Sequence, residues 1–450
     1  MNDWTPEIVE ARLVEAATVL RRLPPERQGC PGKIHCAAGA CSVLAAQVRY
    51  FLVVETQKER PSMRYRDSIF ASLLKPLERR RFEAIVARHN GNAYDKTFGS
   101  WDHLVTLIFA QLGGVQSLRG LEAAWKVNAH QHYHLGVGGF SRSTLSDANQ
   151  RRPVAIFEEI FGLLAGQADR TTKRDGGQML RLIDATPIPL GQVVEWAKWN
   201  GRIRGLKLHI VYDPRTDIPH RIAITPATVN DIEFGRQVPI EAGATYVVDK
   251  AYCHYGWWAE IDRAGARFVT RQKINARFRA VRRRPLKRRA GDGFTILDDA
   301  EVRLVSKGDS KLAIPMRRVR LKRHDDGKTI CLLTNDLKRS AVGIGALYKT
   351  RWQIELLFRW IKQHLNIRCF LGRSDNAIRL QIVAAMIAYL LLRLAARLNR
   401  IALLPIRFAE LVGHCRFDRK PVARIDKPPE NNPRRPRQGA HPNQLQFRYA

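Results

Sequence analysis

Acid is what this 450-residue chain has too little of: 42 Asp and Glu stand against 76 Lys and Arg, a formal net charge of +34. A folded chain with that excess repels itself unless a polyanion is near, so nucleic acid is the first partner to expect and an anionic membrane surface the second. Cysteine is scarce too, with seven residues and no CxxC pair, which argues against a disulfide framework or a zinc finger and for a reducing cytoplasm. Cys30, Cys36 and Cys41, with His35 among them, have a spacing that fits no common zinc module and read as a loop. Long apolar runs are missing as well. The longest, Ile382 to Leu392, is bounded by Arg379 and Arg393 and reads as a buried helix rather than a membrane span. The opening MNDWTPEIVE has no apolar core of a signal peptide.

What is present is a globular composition, 45% apolar and 26% charged, with room for about three domains. Residues 1–62 hold one amphipathic helical pattern (Ile8, Leu13, Leu20) and a Cys- and Gly-rich break. They read as an appended segment, the alternative being an accessory subdomain that packs through Val48, Phe51, Leu52 and Val53. Residues 63–168 repeat apolar side chains every three or four positions, a helical domain. Within it SRSTLSDANQRR (141–152) is almost wholly hydrogen-bonding. Arg142 and Asn149 are its candidates for contact with bases or phosphates, against the plainer reading of a solvated helix after a capped turn. After a basic hinge at Arg170–Arg174 the period becomes two, and strands and helices alternate over 175–410. Residues 271–290 carry ten basic side chains and no acid, and the short strands around them read as a β-rich basic insertion over about 275–335. Residues 418–450 are Pro-, Asn- and Arg-rich and read as a disordered basic tail.

Two acids interrupt apolar strands: Asp184 in RLIDATPI and Asp249 directly after Tyr246-Val247-Val248. A bare carboxylate in a central strand costs several kcal/mol unless it is paired or metal-bound. An arginine partner would satisfy either one alone, but two such acids followed by a helical one describe a two-metal phosphoryl-transfer site on an RNase H-like sheet. The third acid follows from helix geometry. At 100° per residue along ALYKTRWQIELLFRWIKQHL, Tyr348, Arg351, Glu355 and Lys362 share a wedge of about 60°. Leu347, Ile354, Phe358, Ile361 and Leu365 fall on the adjacent apolar face. Glu355 among two cations and a phenol reads as a metal ligand beside phosphate-binding groups, or as the acid of an i,i+4 ion pair with Arg351.

Tyr348-x2-Arg351-x3-Glu355-x6-Lys362 resembles the Y-(2)-R-(3)-E-(6)-K signature of IS4-type DDE transposases, and LIDATPI and VVDKAY resemble the segments that carry that family's first two catalytic aspartates, with Tyr252 following the second. The likeness runs from about Met63 to about residue 405, and YHLG…SRSTLSDAN is similar to an N-terminal domain of one branch. It implies an α/β fold: an RNase H-like catalytic core interrupted by a β-rich insertion and preceded by a helical DNA-binding domain. Two departures stand out. The 275–335 stretch lacks the Trp that relatives use for a flipped base, and Asn230-Asp231 replaces a His-Asp pair.

On this reading Asp184, Asp249 and Glu355 bind two Mg²⁺ ions, for which Mn²⁺ substitutes. Tyr348, Arg351 and Lys362 grip phosphates, and Arg271, Lys273 and the 277–289 cluster track the flanking duplex. The expected partners are terminal inverted repeats and target DNA, with no small-molecule substrate and no membrane. The resemblance further implies a hairpin intermediate and a homodimer that synapses both ends, at the nucleoid. The other readings are an inactive DNA-binding remnant acting as a repressor, and a host nuclease without strand transfer.

Overall fold

The computed structural model describes residues 67–93, 95–173, 179–191, 194–286, 289–305, 314–365 and 369–427. The expected appended segment 1–62 and the tail beyond 427 lie outside them. Helices α1 (Ile69–Leu74), α2 (Arg79–Arg88), α3 (Ser100–Leu112), α4 (Leu118–Val127), α5 (His132–Leu135), α6 (Arg142–Arg151) and α7 (Val154–Lys173) come first. Hydroxyls set several of their starts. Ser68, Ser117 and Ser141 accept hydrogen bonds from the backbone N–H groups of Ala71, Gly120 and Thr144, which satisfies donors a helix leaves open at its N-terminus.

The strands follow: β1 (Leu180–Pro189), β2 (Gly205–Asp213) and β3 (Ile218–Pro226), then α8 (Asp231–Gln237), β4 (Thr245–Val248), α9 (Tyr255–Arg263) and β5 (Arg267–Arg271). After these come β6 (Phe278–Arg283), β7 (Ala290–Gly291), β8 (Phe294–Leu304), β9 (Met316–Arg323) and β10 (Thr329–Thr334). They form one ten-stranded sheet in the order β3-β2-β1-β4-β5-β10-β9-β8-β6, with β7 paired to β8. Strands β1, β4 and β5 run parallel, and β2 and β3 antiparallel beside them. The strands expected in 275–335 thus extend the sheet through β5 and β10. Strand β8 runs without a break from Phe294 to Leu304.

Apolar alternation divides the sheet's two faces. Leu182, Leu208 and Val269 join one core, and Ile183, Val211 and Phe268 join the other with Phe234, Trp257 and Trp258 of α8 and α9. Trp258 stacks on Phe268 at 4.9 Å. The first face meets α10 (Ala341–Thr350), α11 (Trp352–His364), α12 (Asp375–Leu398) and α13 (Pro405–Cys415). Helix α12 is long and apolar enough to cross a membrane, yet 89% of its most apolar window is buried in the protein. It packs on α3, α6, α7 and β3, so the N-terminal helices and the sheet share one core.

Two expectations are corrected. Residues 418–427 do not belong to a disordered tail, because Val422 and Ile425 are buried in the core. The signature stretch is two helices, not one: Arg351 accepts from Ile354 N and donates to Tyr348 O, both i→i+3 bonds, which tighten the turn locally and separate α10 from α11.

Candidate active site

The parallel register of β1 and β4 pairs Ile183 with Val248. The next positions on the two strands are Asp184 and Asp249, so their Cα atoms lie about one strand spacing apart, roughly 5 Å. Thr270 on β5 donates its hydroxyl to the Asp249 carbonyl at 3.2 Å, which fixes the end of β4. Asp184 faces the helix-covered side with its partner Ile210, and α11 crosses over β1 there. Glu355 comes from the first turn of α11.

Arg351 links the acids. Its Nη2 donates to Glu355 Oε1 at 2.5 Å and its Nη1 to Asp184 Oδ2 at 3.4 Å. The i,i+4 ion pair and the shared cluster are therefore one arrangement. Burial pushes Asp184 up to about 6; the Ala185 N–H and Arg351 oppose that shift, while Asp249 and Glu355 reinforce it. The influence of both other carboxylates on Asp184 places all three in one electrostatic neighbourhood. Burial works against the Arg351 charge, but Tyr348, Glu355 and Asp184 outweigh it and raise its pKa. The guanidinium lies 5.7 Å from the centre of the Tyr348 ring. Burial pushes the Tyr348 phenol up, Arg351 and Arg271 pull against it, and Asp249 adds to the rise.

The predicted residues divide into two groups. Asp184, Asp249, Glu355, Tyr348, Arg351 and Arg271 come together in space. Lys273 lies beside them, with Nζ donating to the Cys253 carbonyl at 3.3 Å, and Lys362 is half-buried further along α11. Arg142 and Asn149 sit on α6, away from this cluster. Arg142 is exposed next to Glu122. Asn149, expected on a DNA-facing surface, is buried, and its Oδ1 meets His103 Nε2 at 2.8 Å. Even a helix rich in polar residues needs an inner face, and Leu145, Ala148 and Asn149 provide it for α6.

Sequence reasoning missed Lys207, which donates to Asp231 Oδ1 at 2.9 Å and to the Val229 carbonyl at 2.8 Å. That bond commits the acid of Asn230-Asp231 to a lysine. Its signal was KLHIVYD, where strand alternation puts Lys207 on the face opposite Leu206 and Leu208.

Among the described residues, no three His, Cys, Asp or Glu side chains close to metal-binding distance. The donor chemistry nonetheless fits a hard divalent cation. The strand and helix acids supply oxygen ligands only, as Mg²⁺ and Mn²⁺ prefer, and Arg351 already holds a positive charge between two of them.

Three antiparallel strands followed by two parallel ones, in the order 3-2-1-4-5, define an RNase H-like core. The Transposase DDE domain family matches residues 175–391, and a domain of unknown function, DUF4372, matches 65–138. The chain is 62% identical over 305 residues to a Sinorhizobium fredii (strain NBRC 101917 / NGR234) protein bearing the name transposase y4zB, covering 68% of this chain and 85% of that one. It is 30% identical to a Geobacillus stearothermophilus protein named as a transposase for insertion sequence element IS5377, over 57% of this chain and 68% of the relative. A cryo-EM structure of a piggyBac transposase synaptic complex with hairpin DNA aligns over 82% of this chain and 81% of that chain. At 11% identity and a TM-score of 0.41 that likeness is too weak to carry an inference. The chain belongs to the IS4-type DDE transposases, DNA-acting enzymes whose catalytic domains depend on a divalent metal.

Proposed function

We propose that this transposase cuts the ends of its insertion element and joins them to target DNA through Asp184, Asp249 and Glu355. The observation that carries the reading is that carboxylates from β1, the end of β4 and α11 lie in one neighbourhood, with one arginine bridging Asp184 and Glu355 and the strand register setting Asp249 beside Asp184. Two Mg²⁺ or Mn²⁺ ions held by these acids would activate the attacking oxygen and stabilise the leaving one.

The chain's own residues do the rest. Arg351 neutralises the acids before loading, and its Nε is buried with no acceptor among the described residues, leaving a donor for a phosphate oxygen. Tyr348, Lys362, Arg271 and Lys273 surround the same phosphate path. Strand β6 presents Arg279, Arg282 and Arg283 outward, suited to the flanking duplex. Helices α1–α7 form the N-terminal DNA-binding part, with exposed Arg142 as a phosphate contact. The substrates are terminal inverted repeats and target DNA, processed through a hairpin by a dimer that synapses both ends.

The test is purified protein with Mg²⁺ and DNA carrying the element's own ends. Cleavage with joining supports the proposal. Cleavage alone makes the chain a nuclease, and binding alone makes it a DNA-binding remnant. A second readout is independent of activity: Mg²⁺ should raise the Tm of the wild type and not that of Glu355→Gln.

A further inference from the structure

At the C-terminal end of α12 the surface holds a cavity of about 570 Å³, lined by Arg215 and Thr216 from the β2–β3 turn, by Arg393 and Arg397 of α12, by Arg400 just beyond it, and by Phe408 of α13. Arg393 and Arg397 are spaced i, i+4, which puts them on one stripe of the helix, Arg400 follows just past its end, and Arg215 lines the same cavity from the turn. Among the described residues no carboxylate lines this cavity.

The nearby acids are spent in holding the walls. Asp213 accepts from Arg215 Nε at 3.3 Å and Nη2 at 3.0 Å, and from the Arg215 backbone N–H at 2.9 Å. Asp217 accepts from the Tyr212 and Tyr389 hydroxyls at 2.5 and 2.6 Å and pairs with Arg393 at 2.5 Å. These bonds pin the turn to α12 and orient two guanidiniums, and Arg393 Nε is buried with no acceptor among the described residues. Arg400 sits at φ +51° just past the helix end, a left-handed position that glycine fills more easily. Basic residues at a helix C-terminus are favoured by its dipole. The dipole does not account for an arginine held in a strained conformation, nor for a fourth supplied by a separate turn.

The cavity is not the candidate active site. Tyr212 pairs with Leu182 on β1, so the turn beyond it lies roughly 15–20 Å from Asp184 along the strands. We infer that this arginine cavity is a second backbone site for duplex DNA, gripping phosphates about five base pairs from the phosphate that reacts. The inference rests on the proposed function only in taking DNA as the polyanion. The chain's excess of 76 bases over 42 acids calls for such a partner, and the planar fork of arginine matches phosphate oxygens.

Arg400→Gly is the decisive variant, because stability and binding should move in opposite directions. The full-length variant should melt at or above the wild-type temperature, since glycine relieves the left-handed backbone. Binding to a 30-base-pair duplex should weaken, and the slope of log K against log salt should fall by about one unit. Arg397→Ala with Arg400→Gly should lower the slope by about two units, and Arg397→Lys should restore most of the loss from Arg397→Ala. Unchanged slopes in variants of a wild type that binds duplex overturn this inference and leave the proposed function standing. A wild type that binds no duplex overturns both. Loss of binding to a poly-glutamate probe with duplex binding intact would make the cavity a protein-docking site and also sink the inference.

Discussion

Arg351 Nη1 lies 3.4 Å from Asp184 Oδ2, joining the turn between α10 and α11 to a strand residue 167 positions earlier in the chain. The same guanidinium holds Glu355 at 2.5 Å, so one cation serves two acids that would otherwise repel. Arg351→Ala removes that charge and leaves two partly buried carboxylates facing each other. We expect a loss of about 1–3 kcal/mol at pH 7. Mg²⁺ should then raise the variant's Tm by more than it raises the wild type's. Calorimetry with and without Mg²⁺ checks this, and an equal Mg²⁺ response in both proteins would show that Arg351 does not stand in for the metal.

Asp184→Asn should stabilise the metal-free protein while abolishing cleavage. Burial lifts the Asp184 pKa to about 6, above the value of about 4 expected in the unfolded chain. The wild type is therefore fully stable with respect to this group below about pH 4 and loses stability as pH rises through about 6. The variant lacks that penalty. Its advantage should be about 1–3 kcal/mol at pH 7 and vanish near pH 4. An advantage that is the same at both pH values would place the effect elsewhere.

Metal affinity should follow the same titration. Protons compete with the cation for Asp184, so the Mg²⁺ dependence of Tm should grow between about pH 5 and pH 7 and level off above. Isothermal titration across that range provides the check. Affinity that is flat from pH 5 to 7 would remove Asp184 from the binding set.

Asp249→Asn and Glu355→Gln should each reduce cleavage of element ends to below a tenth of wild type while duplex binding stays largely intact, since each removes charge but little volume. A gel assay resolving bound and cut DNA distinguishes the two effects. A variant that keeps a tenth or more of the activity would exclude that acid.

Asn149→Ala should act on the helical core. Burial lowers the His103 pKa to about 3, and Arg152 lowers it further against the Asn149 hydrogen bond, so His103 is neutral and relies on Asn149 as a partner. Losing that partner should cost about 1–3 kcal/mol with little change in the salt dependence of DNA binding. A fall in the salt slope with no loss of Tm would return Asn149 to the DNA-facing surface.

Much of the candidate site was legible along the chain because its local periods are strong. Asp184 and Asp249 stand out as charges within β-branched and apolar runs, and Tyr348, Arg351, Glu355 and Lys362 share one helical wedge. Helix periodicity also marked the long apolar stretch that became α12. The convergence of the acids was beyond such reading. It depends on the register that pairs Ile183 with Val248 and on α11 crossing β1, both set by side chains far apart in sequence. The turn of i→i+3 bonds at Arg351 could not be read either, because the residues there suit a continuous helix. Composition misjudged Asn149, since polar content says how a helix is solvated on average and not which face meets Leu145 and His103. The arginine cavity illustrates the same division. The spacing of Arg393, Arg397 and Arg400 is written in the sequence, but Arg215 reaches it only through the turn that Asp217 pins to α12. Local chemistry and period are carried by neighbouring residues, whereas a site is closed by contacts between elements, and those exist only once the chain has folded.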